Sequence, residues 1–288
     1  MKLKILASGN FWREKMAKKI KILSGWSDPG GSTVALINLC NLFNERGYDC
    51  TFYGPHQWHS HYCKGEPLNA CPINEEDERL IVHYLKFPHR PENSGRVILA
   101  CHEKDIYPVA DQSKFWDSVA YVSESQKKWQ SERETSPAPT NTEGVVIPNV
   151  LSDLYPSQDI VIGTAGIIGS VDANKQTHLS IERAVKDGYK TILLYGNVTD
   201  QHYYNEYVEP LVKKHKVKMM GHEDNKQRMY DRITKVFHSS ASETFNLVKA
   251  ECLLTKTLYD GLDSSESGCE LWTKTEILEA WKKLLNLS

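Results

Sequence analysis

The chain of 288 residues predicts an α/β protein, two Rossmann-like βαβ domains facing a central cleft. Three observations lead there. Short apolar runs alternate with segments of helical period along most of the chain. Each half opens with a strand, a glycine-bearing turn and a helix. Between the halves, Ile147-Pro148-Asn149-Val150 reads as a hinge. Residues 1–150 therefore form an expected N-terminal domain, and residues 151–288 a C-terminal domain with a terminal helix.

In the first half, residues 1–15 precede a second methionine, Met16, and read as an extension. Lys19 to Ser24 is a strand, and Ser32 to Arg46 a helix with Ala35, Leu36, Leu39, Leu42 and Phe43 on one face, stopped by Gly47. Cys50 to Tyr53 is the next strand. A histidine-rich loop follows, then a helix around Glu75 to Leu85, a strand at Val97 to Cys101, a helix near Asp111, a strand at Val119 to Val122 and a helix from Glu124. Ser131 to Glu143, with two prolines and many small polar residues, is a loop, and Val145 to Ile147 a short strand.

The second half repeats the rhythm. Strands are expected at Ile160 to Ala165, Thr191 to Tyr195, Val217 to Met220, Val236–Phe237 and Thr257 to Tyr259. Helices are expected at Lys175 to Asp187, Tyr203 to His215, from Asp224, at Thr244 to Leu254 and at Lys274 to Leu287. A cleft lined by the carboxyl ends of such strands is where this architecture binds ligands.

Composition narrows the chemistry. The 35 basic and 37 acidic residues leave a formal charge of -2, so no global field draws nucleic acid or an anionic membrane. No apolar run approaches the roughly 20 residues that span a bilayer, and the N-terminus lacks the apolar core of a signal peptide, so a cytoplasmic protein is expected. Seven cysteines are present; Cys40, Cys50 and Cys101 sit in apolar patterns and are expected to be reduced.

Four segments could carry chemistry. The loop GWSDPGGST, Gly25 to Thr33, follows the first strand; Gly30 and Gly31 allow backbone to approach a ligand, or serve only the angles of a turn. Its spacing resembles a Walker A loop, but Gly31 stands where that motif has lysine, which argues against an NTPase. In the second half, Gly166 and Gly169 precede Asn174, a candidate N-cap, and Lys175, which can reach a diphosphate. His56, His59, His61, Cys63 and Cys71 crowd one loop, with a spacing that matches no standard zinc site and reads better as polar surface. Finally, Glu243 and Glu251 stand eight positions apart across an expected helix start, about 12 Å of helical rise, too far to converge on one atom. They could hold opposite parts of an elongated ligand, with the amides of Thr244, Phe245 and Asn246 facing it. A nucleotide sugar, with a central diphosphate and a ribose diol, fits that layout.

Over most of residues 19 to 260 the chain resembles the retaining glycosyltransferases of GT-B fold, of the family-four type. The resemblance rests on Gly30-Gly31 with its helix, Arg46-Gly47-Tyr48, His102 in VILACHEKD, VSES at Val122 to Ser125 and the IPNV hinge. It also rests on IGTAGIIGSVDANK, LLYG at Leu193 to Gly196, Gly221-His222 and, most specifically, the Glu-x7-Glu pair in SETFNLVKAE. It implies that a sugar moves, with retention, from a nucleoside diphosphate donor (UDP-, GDP- or ADP-linked) to an unknown acceptor, without metal or cofactor. By the same resemblance Glu243, Lys175 and His102 are catalytic. Gly30, Gly31, Gly166, Lys175, His222, Thr244, Phe245, Asn246, Leu247 and Glu251 bind the donor, with Glu251 on the ribose and Lys175 on the leaving diphosphate; by the same resemblance residues 1–150 are a shortened acceptor side and residues 151–288 the donor side. One departure stands out: the family's second cation, an arginine, is here Ser170, unless Arg183, Lys226 or Arg228 replaces it. That departure and the short first half keep open a nucleotide-sugar-binding protein without transfer, or an epimerase of the same fold.

Overall fold

The computed structural model describes residues 19–72, 78–91, 94–104, 114–132, 144–157, 163–262 and 268–287. They form two parallel sheets. The first contains β1 (Lys19–Ser24), β2 (Asp49–Gly54), β3 (Gly65–Pro67), β4 (Arg79–His83), β5 (Arg96–Cys101), β6 (Ser118–Tyr121) and β7 (Val145–Val146), in the order β3-β2-β1-β4-β5-β6-β7. The second contains β8 (Thr164–Ile168), β9 (Thr191–Tyr195), β10 (Lys218–Gly221), β11 (Lys235–His238) and β12 (Leu258–Gly261), in the order β10-β9-β8-β11-β12. Each order reverses at one place, between β1 and β4 and between β8 and β11. Loops leaving the strands there diverge to opposite faces and open a crevice.

The helices are α1 (Gly31–Glu45), α2 (Glu124–Ser131), α3 (Thr177–Lys186), α4 (Gln201–Tyr203), α5 (Glu209–His215), α6 (Lys226–Asp231), α7 (Leu247–Thr255) and α8 (Lys274–Leu285), with a π turn at Tyr204–Val208 between α4 and α5. α1 buries Leu36, Leu39, Leu42 and Phe43 on Ile20, Ile22, Phe52 and Ile81, the apolar face its periodicity predicts. α8, which the sequence reading counts with residues 151–288, returns to the first sheet: Ile277, Trp281 and Leu285 join the core of Ile20 and Phe43. Arg79 and Arg96 donate to the carbonyls of Leu285 and Leu284, which fixes its end. Ile147 and Val150 are buried in the same core, so the IPNV segment is anchored on the first sheet before the chain crosses over.

One expected element has the wrong type. Residues 79–83 form the central strand β4, paired in parallel with β1 and β5, where a helix over Glu75 to Leu85 was expected. A short apolar run such as Leu80-Ile81-Val82 suits a buried strand or a buried helix equally well, and the neighbouring strands decide it. Residues 1–15, the expected helix near Asp111, most of the loop from Ser131 to Glu143 and the start of the strand at Ile160 lie outside the described residues. Among the described residues no helix is long and apolar enough to cross a membrane, and the seven cysteines are free thiols, with Cys40, Cys50 and Cys101 buried.

Candidate active site

The carboxyl ends of the two sheets face each other across a cleft of ≈ 480 Å³. Its first wall carries Trp26 and Ser32 after β1, His83 and Tyr84 at the end of β4, and Glu103 and Lys104 after β5. Its second wall carries Asn174 and Lys175 after β8 and Ser242, Glu243 and Thr244 after β11. Both order reversals therefore open into one space.

Two backbone features build the first wall. Gly25 donates its N–H to the His83 carbonyl, and a Cβ there would meet the Tyr84 carbonyl oxygen at 2.0 Å, so no other residue fits. Tyr84 itself has φ 47°, a strained backbone for a residue with a side chain. Gly30 is less constrained: it caps α1 in extended conformation, with its nearest neighbour 3.8 Å from an added Cβ. At Gly31 an added Cβ would meet Leu247 of the facing wall at 3.0 Å, so this glycine serves the close approach of the two sheets.

The second wall is organised around Glu243. Lys175 donates from Nζ to Glu243 Oε1 at 2.5 Å, and His238 Nε2 lies 3.0 Å from the same oxygen. The carboxylate side chain is 12 % exposed. Burial alone would raise its pKa, but the hydrogen bond from His238 and the charge of Lys175 outweigh it and hold the group at about 2. Glu243 is thus an ionised acceptor at neutral pH. Lys175 is positioned by its backbone N–H on Asp172 and by its stem passing Gly169, whose φ of 141° keeps the turn open. Helix α3 starts only at Thr177, so Asn174 is not its N-cap; Asn174 instead accepts the Ala241 N–H in the turn that carries Glu243. Ser170, at the position of the missing arginine, donates to Asp172 at 2.5 Å.

The other expected site residues divide. Thr244 lines the cleft and also fastens the walls: its hydroxyl donates to the His102 carbonyl at 2.6 Å, and its carbonyl accepts from Ser123 at 2.6 Å. Phe245 is buried between the sheets with Val122 and Ala250. Asn246 is the N-cap of α7 and its amide donates to Gly268, so α7 begins at Leu247, and Glu243 precedes the helix rather than opening it. Glu251 is inside α7, 2 % exposed, held by Lys226 and by the Tyr230 hydroxyl at 2.8 Å. Lys226 lines a second cavity with Ser152–Tyr155 and Asp224–Arg228, away from Glu243. His222 pairs with Asp224, whose carboxylate also receives the Tyr62 hydroxyl from the first wall's side at 2.7 Å.

Two expectations do not match the geometry. Gly166 lies under Ile233, where an added Cβ would meet a side-chain carbon at 2.5 Å, so it serves strand packing and not a ligand. His102 turns from the cleft into a small space beside Ala35, Ala120 and Trp281, with Nδ1 unpartnered and its pKa depressed, first by burial and then by His83. The cations offered in place of an arginine are all engaged: Arg183 with Asp260, Lys226 with Glu251 and Arg228 with Glu223. In the histidine-rich loop His59 is buried against Phe52 and His56 faces Asp28, and among the described residues no three His, Cys, Asp or Glu side chains converge as a metal site.

Sequence reasoning missed His238, His83, Glu103 and Trp26. His238 had a readable signal, a histidine closing a strand just before the small-residue turn to Glu243. The others are brought in by strands that are distant in sequence.

No protein-family model and no curated protein sequence matches the chain. Among solved structures it is similar to Alr3699/HepE of Anabaena in complex with UDP and glucose, with TM-score 0.63 and 15 % identity over 87 % of this chain and 81 % of that one. It is similar to a glycosyltransferase from Rickettsia africae, with TM-score 0.59 and 14 % identity over 86 % and 80 % of the two chains. It is also similar to WaaG, a glycosyltransferase involved in lipopolysaccharide biosynthesis, with TM-score 0.58 and 11 % identity over 93 % and 90 %. With the two parallel sheets and the cleft between them, these likenesses establish a GT-B fold for this chain.

Proposed function

We propose that the protein is a glycosyltransferase that moves a sugar from a nucleoside diphosphate donor to an acceptor, with retention of configuration and without a metal. The observation that carries this reading is the Lys175–Glu243–His238 cluster at the carboxyl end of the second sheet, facing the first sheet across one cleft. The fold likeness to a protein complexed with UDP and glucose supports it.

The chemistry suits these groups. Departure of the diphosphate leaves positive charge on the sugar and negative charge on phosphate. Lys175, within reach of both Glu243 and open cleft, offers a cation to the departing phosphate. Glu243 cannot act as an acid at neutral pH because it is ionised; its role is to accept a donor-sugar hydroxyl and oppose the developing positive charge. Glu251 binds the ribose diol, its carboxylate turned by Lys226 and Tyr230. The test is a sugar-nucleotide panel in the presence of EDTA with product detection: turnover with an inverted anomer, or turnover lost to EDTA, overturns retention or metal independence. Failure to bind or turn over any nucleoside diphosphate or its sugar conjugates overturns the reading as a whole.

A second reading is favoured by Ser170 and by the engagement of Arg183, Lys226 and Arg228, which leave the diphosphate short of cations. The protein would then bind nucleotide sugar without transferring it. Tight binding with no hydrolysis or transfer across a broad acceptor set distinguishes this reading.

A further inference from the structure

Lys175 serves two anions with one charge. Its ammonium is bonded to Glu243 Oε1, and in the transfer reading it also neutralises the departing phosphate. A diphosphate in the cleft draws on the same ammonium, so Glu243 then keeps only part of its cation or none of it. An ionised carboxylate that is 12 % exposed and stripped of its partner is strongly destabilised, and it recovers by taking up a proton or by pulling Lys175 back. Either response defeats the transfer step.

The second partner of Glu243 removes this conflict. His238 Nε2 lies 3.0 Å from the same Oε1, and beside an ionised carboxylate that nitrogen carries the proton and donates it. The two partners differ in how freely they move. His238 closes β11, its side chain is 4 % exposed, and its carbonyl accepts from Arg183 and from the Leu262 N–H, both at 3.2 Å. Lys175 stands in the turn before α3, is 26 % exposed and reaches Glu243 on a flexible stem. The lysine is therefore the partner that can swing, and the histidine the one that stays. Burial raises the pKa of Glu243, and among the groups that lower it the His238 hydrogen bond stands first, ahead of the charge of Lys175. Oε2 takes no hydrogen bond from any described residue, and Glu243 lines the cleft, so anchoring Oε1 leaves Oε2 for a ligand.

We propose that His238 is a positioning residue of the transfer site: it holds Oε1 of Glu243 in place while Lys175 moves to the phosphate. One carboxylate then serves the sugar and one cation the leaving group, without competing. The inference rests on the transfer reading above and gives a role to a residue that reading leaves without one.

The experiment follows release of nucleoside diphosphate from UDP-glucose, GDP-mannose and ADP-glucose by the full chain between about pH 4 and about pH 8, with affinity for the released nucleotide measured on the same samples. His238→Leu removes the hydrogen-bond donor at similar volume, whereas His238→Gln keeps one, since its amide nitrogen reaches about as far as Nε2. His238→Leu should lower kcat about tenfold, with nucleotide affinity within about twofold of the wild type, which also shows the variant to be folded. The acid limb of its rate profile should move to higher pH, because Glu243 without the His238 hydrogen bond takes up a proton more readily. His238→Gln should keep kcat within about threefold and keep the wild-type limb, which separates the titration of Glu243 from that of the histidine itself. The other charged and titratable groups around the pair are unchanged in both variants: Lys175, Arg183 and Tyr259 on the second sheet's side, and His83, Glu103 and Lys104 across the cleft. If His238→Leu does not bind nucleotide, His238→Asn, whose amide is too short to reach Glu243, is measured with the same expectation. Release by the wild type with an unchanged rate or an unchanged acid limb in the donor-free variant overturns this inference and leaves the transfer reading standing. So does an equal loss of rate in the donor-free variant and in His238→Gln. No release by the wild type from any of the three sugar nucleotides overturns the transfer reading, and this inference with it.

Discussion

Glu243 and Glu251 belong to one segment of ten residues, yet they occupy different surroundings. Glu243 stands in a turn before α7, faces the cleft and is held by Lys175 and His238. Glu251 stands inside α7, buried, held by Lys226 and Tyr230 beside the second cavity. Both carboxylates have a lysine and one further partner. The difference lies in what surrounds the lysine: Lys175 opens into the space between the sheets, whereas Lys226 lies at the edge of a cavity built by the second sheet's loops and the crossover segment. The same residue pair therefore sits in two different surroundings, one open to the cleft between the sheets and one at the edge of the second cavity.

The division can be broken by substitution. Lys175→Ala and Glu243→Ala should each lower the rate of sugar transfer by about 100-fold with nucleotide affinity changed much less, since a pre-aimed charge is worth most in the transition state. Steady-state kinetics with the active donor, alongside calorimetric titration of whichever of UDP, GDP and ADP binds, check this; equal losses in rate and affinity would merge the two roles.

Glu251→Ala should do the opposite, weakening the bound nucleotide about tenfold and more than Glu243→Ala does. It also strips the partners from Tyr230, which is fully buried, and from Lys226, and should cost about 2–3 kcal/mol in urea unfolding. Equal nucleotide affinities for the two alanine variants would defeat the assignment of Glu251 to the ribose.

A pH series sharpens the contrast. Glu243 has its pKa lowered from 4.5 to about 2, so the folded state favours the ionised form. Its stabilisation is complete above the unfolded pKa and is lost as pH falls through the folded one. The stability difference between the wild type and Glu243→Gln should shrink between pH 4.5 and 2, measured by denaturant midpoints. A difference unchanged across that window would show that Lys175 and His238 do not hold the carboxylate in solution.

The smallest effect concerns the contact that sets the two walls opposite each other. Ser123→Ala removes the bond to the Thr244 carbonyl and the cap on α2 and should cost about 1 kcal/mol. Limited proteolysis near the crossover segment, compared with the wild type, reports whether the walls separate more readily.

The sequence by itself determined the alternation of strands and helices and brought out the segments that line the candidate site. These follow from local periodicity, from glycine-bearing turns after strands, and from the Glu-x7-Glu spacing. It also placed Lys175 and Glu243, which the fold brings within 2.5 Å although they are separated by 68 positions. Only the tertiary structure decided that Arg79–His83 is a central strand, because its apolar run is ambiguous until β1 and β5 flank it. It alone decided that His102 turns inward while His83 and Glu103 face the cleft. The physical reason is the parallel sheet: side chains at strand ends meet across a reversal in strand order, and that order is a property of pairing between distant segments, which no local pattern records.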